Sequence, residues 1–223
     1  GDSFIVNDDT FWPYVDYENK LYTVDDMQTW QAFPGYTVSL KDLSNFTNLF
    51  SLTVAAVNVF DLDELKSCTN LMSISLNACG NIDLSMFEGI EGLTWVSISN
   101  CDQVTLSGSA ENLKFTSFGL INCGQFPTDI LTSMKSVTDL ALLDSGFSDL
   151  SFLAQMTQVT SLNVSGFEIT DISPIAALQN LQSLMLQNVS VTDISSLRNL
   201  TKMGDIMFNN VPVSDISALS NMR

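Results

Sequence analysis

The sequence predicts an α/β repeat solenoid, with a parallel sheet on its concave face and short helical or 3-10 turns on its convex face. Three observations carry this: apolar positions recurring every 22 residues, an alternation inside each repeat that marks a strand, and an Asp-Ile-Ser turn that opens the return arc. Composition agrees, because 223 residues with 45% hydrophobic and 15% charged content can bury a substantial core and differ from a disordered chain.

The strand element comes first. Leu49, Leu71, Leu93, Phe115, Val137, Val159, Leu181 and Met203 stand 22 apart with no insertion or deletion. Three positions on stand Leu52, Ile74, Val96, Phe118, Leu140, Leu162, Leu184 and Ile206, and two beyond those stand Val54, Leu76, Ile98, Leu120, Leu142, Val164, Leu186 and Phe208. The local pattern is L-x-x-L-x-L, whose closing period of two belongs to a strand with one buried face. Met27, Trp30 and Ala32 fall in the same register one period upstream, so the first repeat begins near Met27.

The return arc follows. Ile169-Thr-Asp171-Ile172-Ser173-Pro174-Ile175 is matched by Val191-Thr-Asp193-Ile194-Ser195-Ser196-Leu197 and by Val213-Ser-Asp215-Ile216-Ser217-Ala218-Leu219. Asp and Ser can accept hydrogen bonds from N–H groups where a helical turn begins, while the following Ile and Leu face inward. One strand and one arc cannot bury an apolar side alone. Stacking coils about 4.8 Å apart joins those sides into one core, and nine strands make a sheet roughly 40 Å along the stack.

Residues 1–26 read as an N-terminal cap and 27–223 as the solenoid of 22-residue repeats, in one continuous body without a dividing linker. Phe4, Phe11, Trp12, Tyr14, Tyr17 and Tyr22 suit a lid over the first coil, and alternation from Val15 to Val24 favours a hairpin there. No signal peptide is visible, and Gly1 is consistent with a targeting segment having been removed. The last repeat reaches Met222-Arg223 without an evident cap, which leaves a truncation, a neighbouring domain or a dimer contact open.

The charge balance excludes several functions. With 25 acidic residues against 8 basic ones, the formal charge is −17 and no basic run exists to neutralise phosphates, so nucleic acid is not an expected partner. Anionic membrane surfaces are disfavoured for the same reason, and no apolar stretch approaches the roughly 20 residues that span a bilayer. The absence of histidine removes the commonest general base and most catalytic zinc sites. No phosphate loop, dinucleotide fingerprint or C-x-x-C pair is present. The chain is therefore read as non-catalytic, with no cofactor and no metal. A carboxylate-dependent hydrolase is the weakest alternative, because a stacked column offers no cleft to place acid and nucleophile across a sugar bond.

Asp61, Asp83, Asp149, Asp171, Asp193 and Asp215 share one repeat position. A calcium ladder is one reading. Capping of each turn is favoured, since the Asp-x-Ser spacing suits it and the glycine-rich calcium nonapeptide is absent. Four N-x-[ST] matches, at Asn45, Asn163, Asn188 and Asn199, follow from Asn/Ser-rich repeats and carry no functional weight.

Over residues 27 to 222 the pattern resembles the leucine-rich-repeat superfamily, and T-D-I-S-P-I, T-D-I-S-S-L and S-D-I-S-A-L are similar to the repeats of bacterial surface proteins of the internalin type. The resemblance implies a right-handed solenoid with a secreted or cell-surface, protein-binding role in adhesion. The family places Asn or Cys eight residues after the first Leu. Here that column reads Val57, Cys79, Cys101, Cys123, Ser145, Phe167, Val189 and Val211, with Asn100, Asn122, Asn188 and Asn210 one position earlier. Whether these asparagines turn inward or line the concave rim is open from the residues alone. The cysteines are similar to a repeat subtype in which thiols replace the Asn column, and free buried thiols are expected.

Positions interleaved with the buried strand residues point onto the concave face. Most are Ser or Asn. Among them stand Trp95, Ile121, Leu143, Met185 and Met207, with Asn163, Asp139 and Asp205, and these eight are the candidate partner-binding residues. The expected partner is a protein. A rigid spacer or adhesin stalk without a dedicated ligand is the alternative that a mostly Ser/Asn face sustains.

Overall fold

The computed structural model describes residues 3–5, 29–32, 37–39, 49–55, 58–60, 62–124, 126–220 and 222. The expected hairpin over 15–24 lies outside them. The chain divides into two compact units, residues 1–114 and 115–223, where the sequence reads as one body. The division falls inside a repeat and leaves the 22-residue spacing unbroken. Coils in a repeat stack touch only their neighbours, so a unit boundary needs no linker to mark it.

In the first unit the strands are β1 (Ser3–Ile5), β2 (Thr29–Ala32), β3 (Thr37–Ser39), β4 (Ser51–Ala55), β5 (Asn58–Phe60), β6 (Ser73–Asn77), β7 (Asn81–Asp83), β8 (Trp95–Ser99) and β9 (Gln103–Thr105). The main ladder, β2-β4-β6-β8, is parallel and pairs Trp30 with Leu52, Leu52 with Ile74 and Ile74 with Val96. Trp30 thus enters at the register the sequence predicts. Two short parallel ladders, β1-β3-β5 and β7-β9, run beside it.

The second unit holds β10 (Ser117–Ile121), β11 (Asp139–Leu143), β12 (Ser161–Ser165), β13 (Ser183–Gln187) and β14 (Asp205–Asn209), with one helical turn, α1 (Thr128–Ser133). Every pairing is parallel and joins residues one period apart, as in Phe118, Leu140, Leu162, Leu184 and Ile206.

The three apolar columns form the core. Leu49, Leu71, Leu93, Phe115, Val137, Val159, Leu181 and Met203 are all buried, and so are the other two columns from Leu52 and Val54 through Leu184 and Leu186. Ile206 and Phe208 are only partly buried, because no described strand pairs with the far side of β14.

Return arcs close with 3-10 turns at Leu62–Ser67, Leu84–Phe87, Ala110–Asn112, Ser151–Gln155, Ser173–Ala177, Ser195–Asn199 and Ser217–Leu219. The capping reading of the Asp column holds. Asp83, Asp149, Asp171, Asp193 and Asp215 each accept the backbone N–H of the residue two positions on, at 2.7–3.0 Å. Asp61 lies outside the described residues. Where Pro127 occupies this column no side chain caps the turn, and the chain forms α1 instead.

The Cys column is a row of donors. Cys79, Cys101 and Cys123 each donate Sγ–H to the carbonyl two residues back, at 3.3–3.4 Å, and Ser145 does the same through Oγ at 3.0 Å. All four cysteines, Cys68 included, are buried thiols outside any disulfide, as expected. The column before it settles the asparagine question. Ala78, Asn100, Asn122, Asp144, Asn188 and Asn210 have φ between 49° and 54°, the left-handed region that Asn and Asp tolerate best among residues with a side chain. Their side chains line the rim: Asn100 Nδ2 donates to Asn77 Oδ1 at 2.8 Å and Asn210 Nδ2 to Asn188 Oδ1 at 3.1 Å.

Phe167 breaks the inward column in which the sequence places it, and is 66% exposed. Gly166 adopts φ 145°, far from the ~50° of the other coils, and Ile169 N–H closes a tight turn onto Gly166 O at 3.1 Å. Ile169, fully buried, fills the interior instead.

Candidate protein-binding face

Alternation along each strand turns every second side chain away from the core, so each main ladder shows the same outward rows. In the first unit the outward positions of β6 are Ser73, Ser75 and Asn77, and those of β8 are Trp95, Ser97 and Ser99. Trp95 pairs in register with Ser73 and is 40% exposed, whereas Ser97 is buried. At the other end of these strands the polar side chains are tied together, with Ser99 Oγ 3.1 Å from Asn77 Oδ1.

Sequence reasoning missed two neighbours of Trp95. Phe50 and Met72 are 44% and 47% exposed at the entry to β4 and β6, and Phe50 O accepts from Met72 N at 2.9 Å while Met72 O accepts from Trp95 N at 3.0 Å. The signal was available: this column carries Thr at 94, 116, 138 and 160, and a large apolar residue only at 50 and 72.

In the second unit the middle outward row runs Gly119, Ala141, Asn163, Met185 and Met207 from β10 to β14. One flanking row is Ser117, Asp139, Ser161, Ser183 and Asp205, and the other is Ile121, Leu143, Ser165, Gln187 and Asn209. All seven predicted residues of this unit therefore lie on one face. Met207 is 54% exposed and Asp205 is exposed, while Ile121, Leu143, Met185, Asp139 and Asn163 are half-buried. Gln187 Nε2 donates to Asn163 Oδ1 at 3.0 Å, and Thr138 Oγ1 lies 2.9 Å from Asp139 Oδ2.

Away from the sheet, a groove of about 450 Å³ in the first unit is lined by Lys66, Glu88, Gly89, Ile90, Glu91, Asn112 and Lys114. One of its two carboxylates is held structurally: Glu88 accepts from Ser109 N at 3.1 Å and from Asn112 Nδ2 at 3.3 Å. Asp83 is the most perturbed carboxyl. Partial burial raises its pKa, but donors from the Ser107 side chain and the Ser85 and Ser107 backbone outweigh that and bring it to about 2. The backbone N–H of Ser195 lowers Asp193, and that of Ser217 lowers Asp215. These carboxylates are engaged in holding turns. Among the described residues no three His, Cys, Asp or Glu side chains cluster as metal ligands would, and no helix is long and apolar enough to cross a membrane.

No protein-family model and no curated protein matches the chain. Solved structures do. An internalin (inlF) from Listeria monocytogenes is similar over 86% of this chain at 27% identity and a TM-score of 0.61. The chain spans 57% of that internalin's length. Internalin C2 of the same species matches over 92% of this chain and 82% of its own at 19% identity and TM-score 0.51. The Drosophila Toll–Spatzle complex matches over 89% of this chain and 29% of its own at 18% identity and TM-score 0.60. With its parallel ladders, 22-residue register and 3-10 arcs, the chain is a leucine-rich-repeat solenoid similar in structure to the internalins.

Proposed function

We propose that this chain is a non-catalytic protein-binding module of a secreted or cell-surface bacterial protein, and that it engages its partner through the outward face of the parallel sheet. One observation carries the reading: large apolar side chains, Trp95 in the first unit and Met207 in the second, stand 40% and 54% exposed on a sheet face where Ser and Asn recur. Apolar anchors set among small polar residues are the usual composition of a protein-binding patch. Similarity to the inlF internalin supports the bacterial setting, and the Toll–Spatzle complex is a case of this fold with a protein ligand.

The test is capture from host-cell and cell-envelope extracts by the chain and by a Trp95→Ala/Met207→Ala variant. Loss of at least one captured protein in the folded variant is expected. Identical capture profiles would defeat the reading and favour a rigid spacer, for which the half-buried Ser51, Ser73, Ser75, Ser117, Ser161 and Ser183 are the supporting observation.

A further inference from the structure

The outward rows of the second unit carry charge of one sign only. Across β10 to β14 they contain Asp139 and Asp205 and neither Lys nor Arg, in a chain of formal charge −17. Both aspartates occupy the same row, in register through Asp139, Ser161, Ser183 and Asp205. Three strand spacings separate them, which is about 14 Å. Apolar surface lies beside each on the same face: Ala141 and Leu143 along β11, Met207 along β14 with Met185 paired to it.

That arrangement matches one kind of side chain particularly well. Lys and Arg lay an aliphatic stem on apolar surface and reach a carboxylate with the charged head. An extended peptide advances about 3.3 Å per residue and shows alternate residues on one side, so cations at i and i+4 point the same way about 13 Å apart. We infer that the sheet face of the second unit docks an extended basic segment of a protein, with two cations four residues apart, one over Ala141 at Asp139 and one over Met207 at Asp205. This rests on the sheet-face reading above and names the chemistry of its partner. The excess negative charge of the chain also speeds encounter with such a partner.

The probe is a fluorescein-labelled Thr/Val-rich peptide with lysines at i and i+4, titrated by anisotropy into the full chain. Two controls carry lysines at i and i+1, which face opposite sides, and glutamates at i and i+4. Binding of the first peptide several-fold tighter than either control is expected. Asp139→Asn/Asp205→Asn should weaken it about 3- to 10-fold, consistent with two ion pairs on a solvent-facing sheet. Glu168→Gln, an exposed carboxylate off the sheet, should leave it unchanged. Equal weakening by Glu168→Gln, no effect of the Asn pair, or equal binding of the controls would each overturn the inference. The two readings separate in the extract assay: capture lost with Met207→Ala but retained by the Asn pair keeps the sheet-face site and removes the basic partner.

Discussion

Among the described residues of the left-handed column, Ala78 alone has neither a polar side chain nor a glycine backbone, and it holds φ 54° where the others carry Asn or Asp at 49–54° or Gly. A non-glycine residue in this region gives up roughly 1–2 kcal/mol against the right-handed one. Ala78→Gly removes that strain, while the freer unfolded chain takes back roughly 0.4–1 kcal/mol. The net gain is about 0.5–1 kcal/mol, or roughly 1–4 °C in Tm for a chain of this size. Ala78 N–H donates to Ser99 O at 2.9 Å, and the substitution leaves that bond in place. Asn122→Ala is the mirror experiment, and should cost about 1 kcal/mol by imposing on a second coil the strain Ala78 already bears. Urea titration reads both through the midpoint at constant slope. If Ala78→Gly lowered the midpoint, or if the two variants moved it in the same direction, left-handed strain would not be what selects the residues of this column.

Three further outcomes follow from the arcs and the interior. Asp83 is held at about 2 against an ordinary 3.8, so the stability it contributes is present above pH 3.8 and lost as pH falls towards 2. Asp83→Asn should therefore be less stable than the parent at neutral pH, and the difference in thermal midpoint should close between pH 4 and pH 2; a gap independent of pH would refute the assignment. Cys123→Ser should cost less than about 1 kcal/mol, because Ser145 already makes the same bond to the carbonyl two residues back. Thiol titration without reductant should find four reactive groups in denatured protein and fewer in native protein, and fewer than four after denaturation would contradict free thiols.

Much of this architecture was legible because the repeat is regular. A fixed spacing names the inward columns at Leu52 and Val54 and, by alternation, the outward rows holding Trp95 and Met207, before any coordinate is known. The Asp-x-Ser spacing likewise announced its caps. What escaped depended on backbone angles that side-chain patterning does not encode. Asn100 and Asn122 could be read as inward or rim residues until their φ values placed them, and Phe167 followed Gly166 out of the core although its column is buried at Cys79, Cys101, Cys123, Ser145 and Val189. Exposure on the face was also only half visible. Ile121, Leu143 and Met185 point outward as expected but are half-buried, a degree of cover that alternation within one repeat does not specify.

Pairing residue i with residue i+22 throughout the main ladders has an evolutionary consequence. It separates two alphabets written in one chain, since inward letters determine whether coils stack and outward letters determine what they meet. Ser161 and Asn163 could be exchanged for other residues without rewriting Leu162 or Val164, which lie on the opposite side of the same strand. Such a surface can drift towards new partners one letter at a time while the scaffold beneath it stays constant.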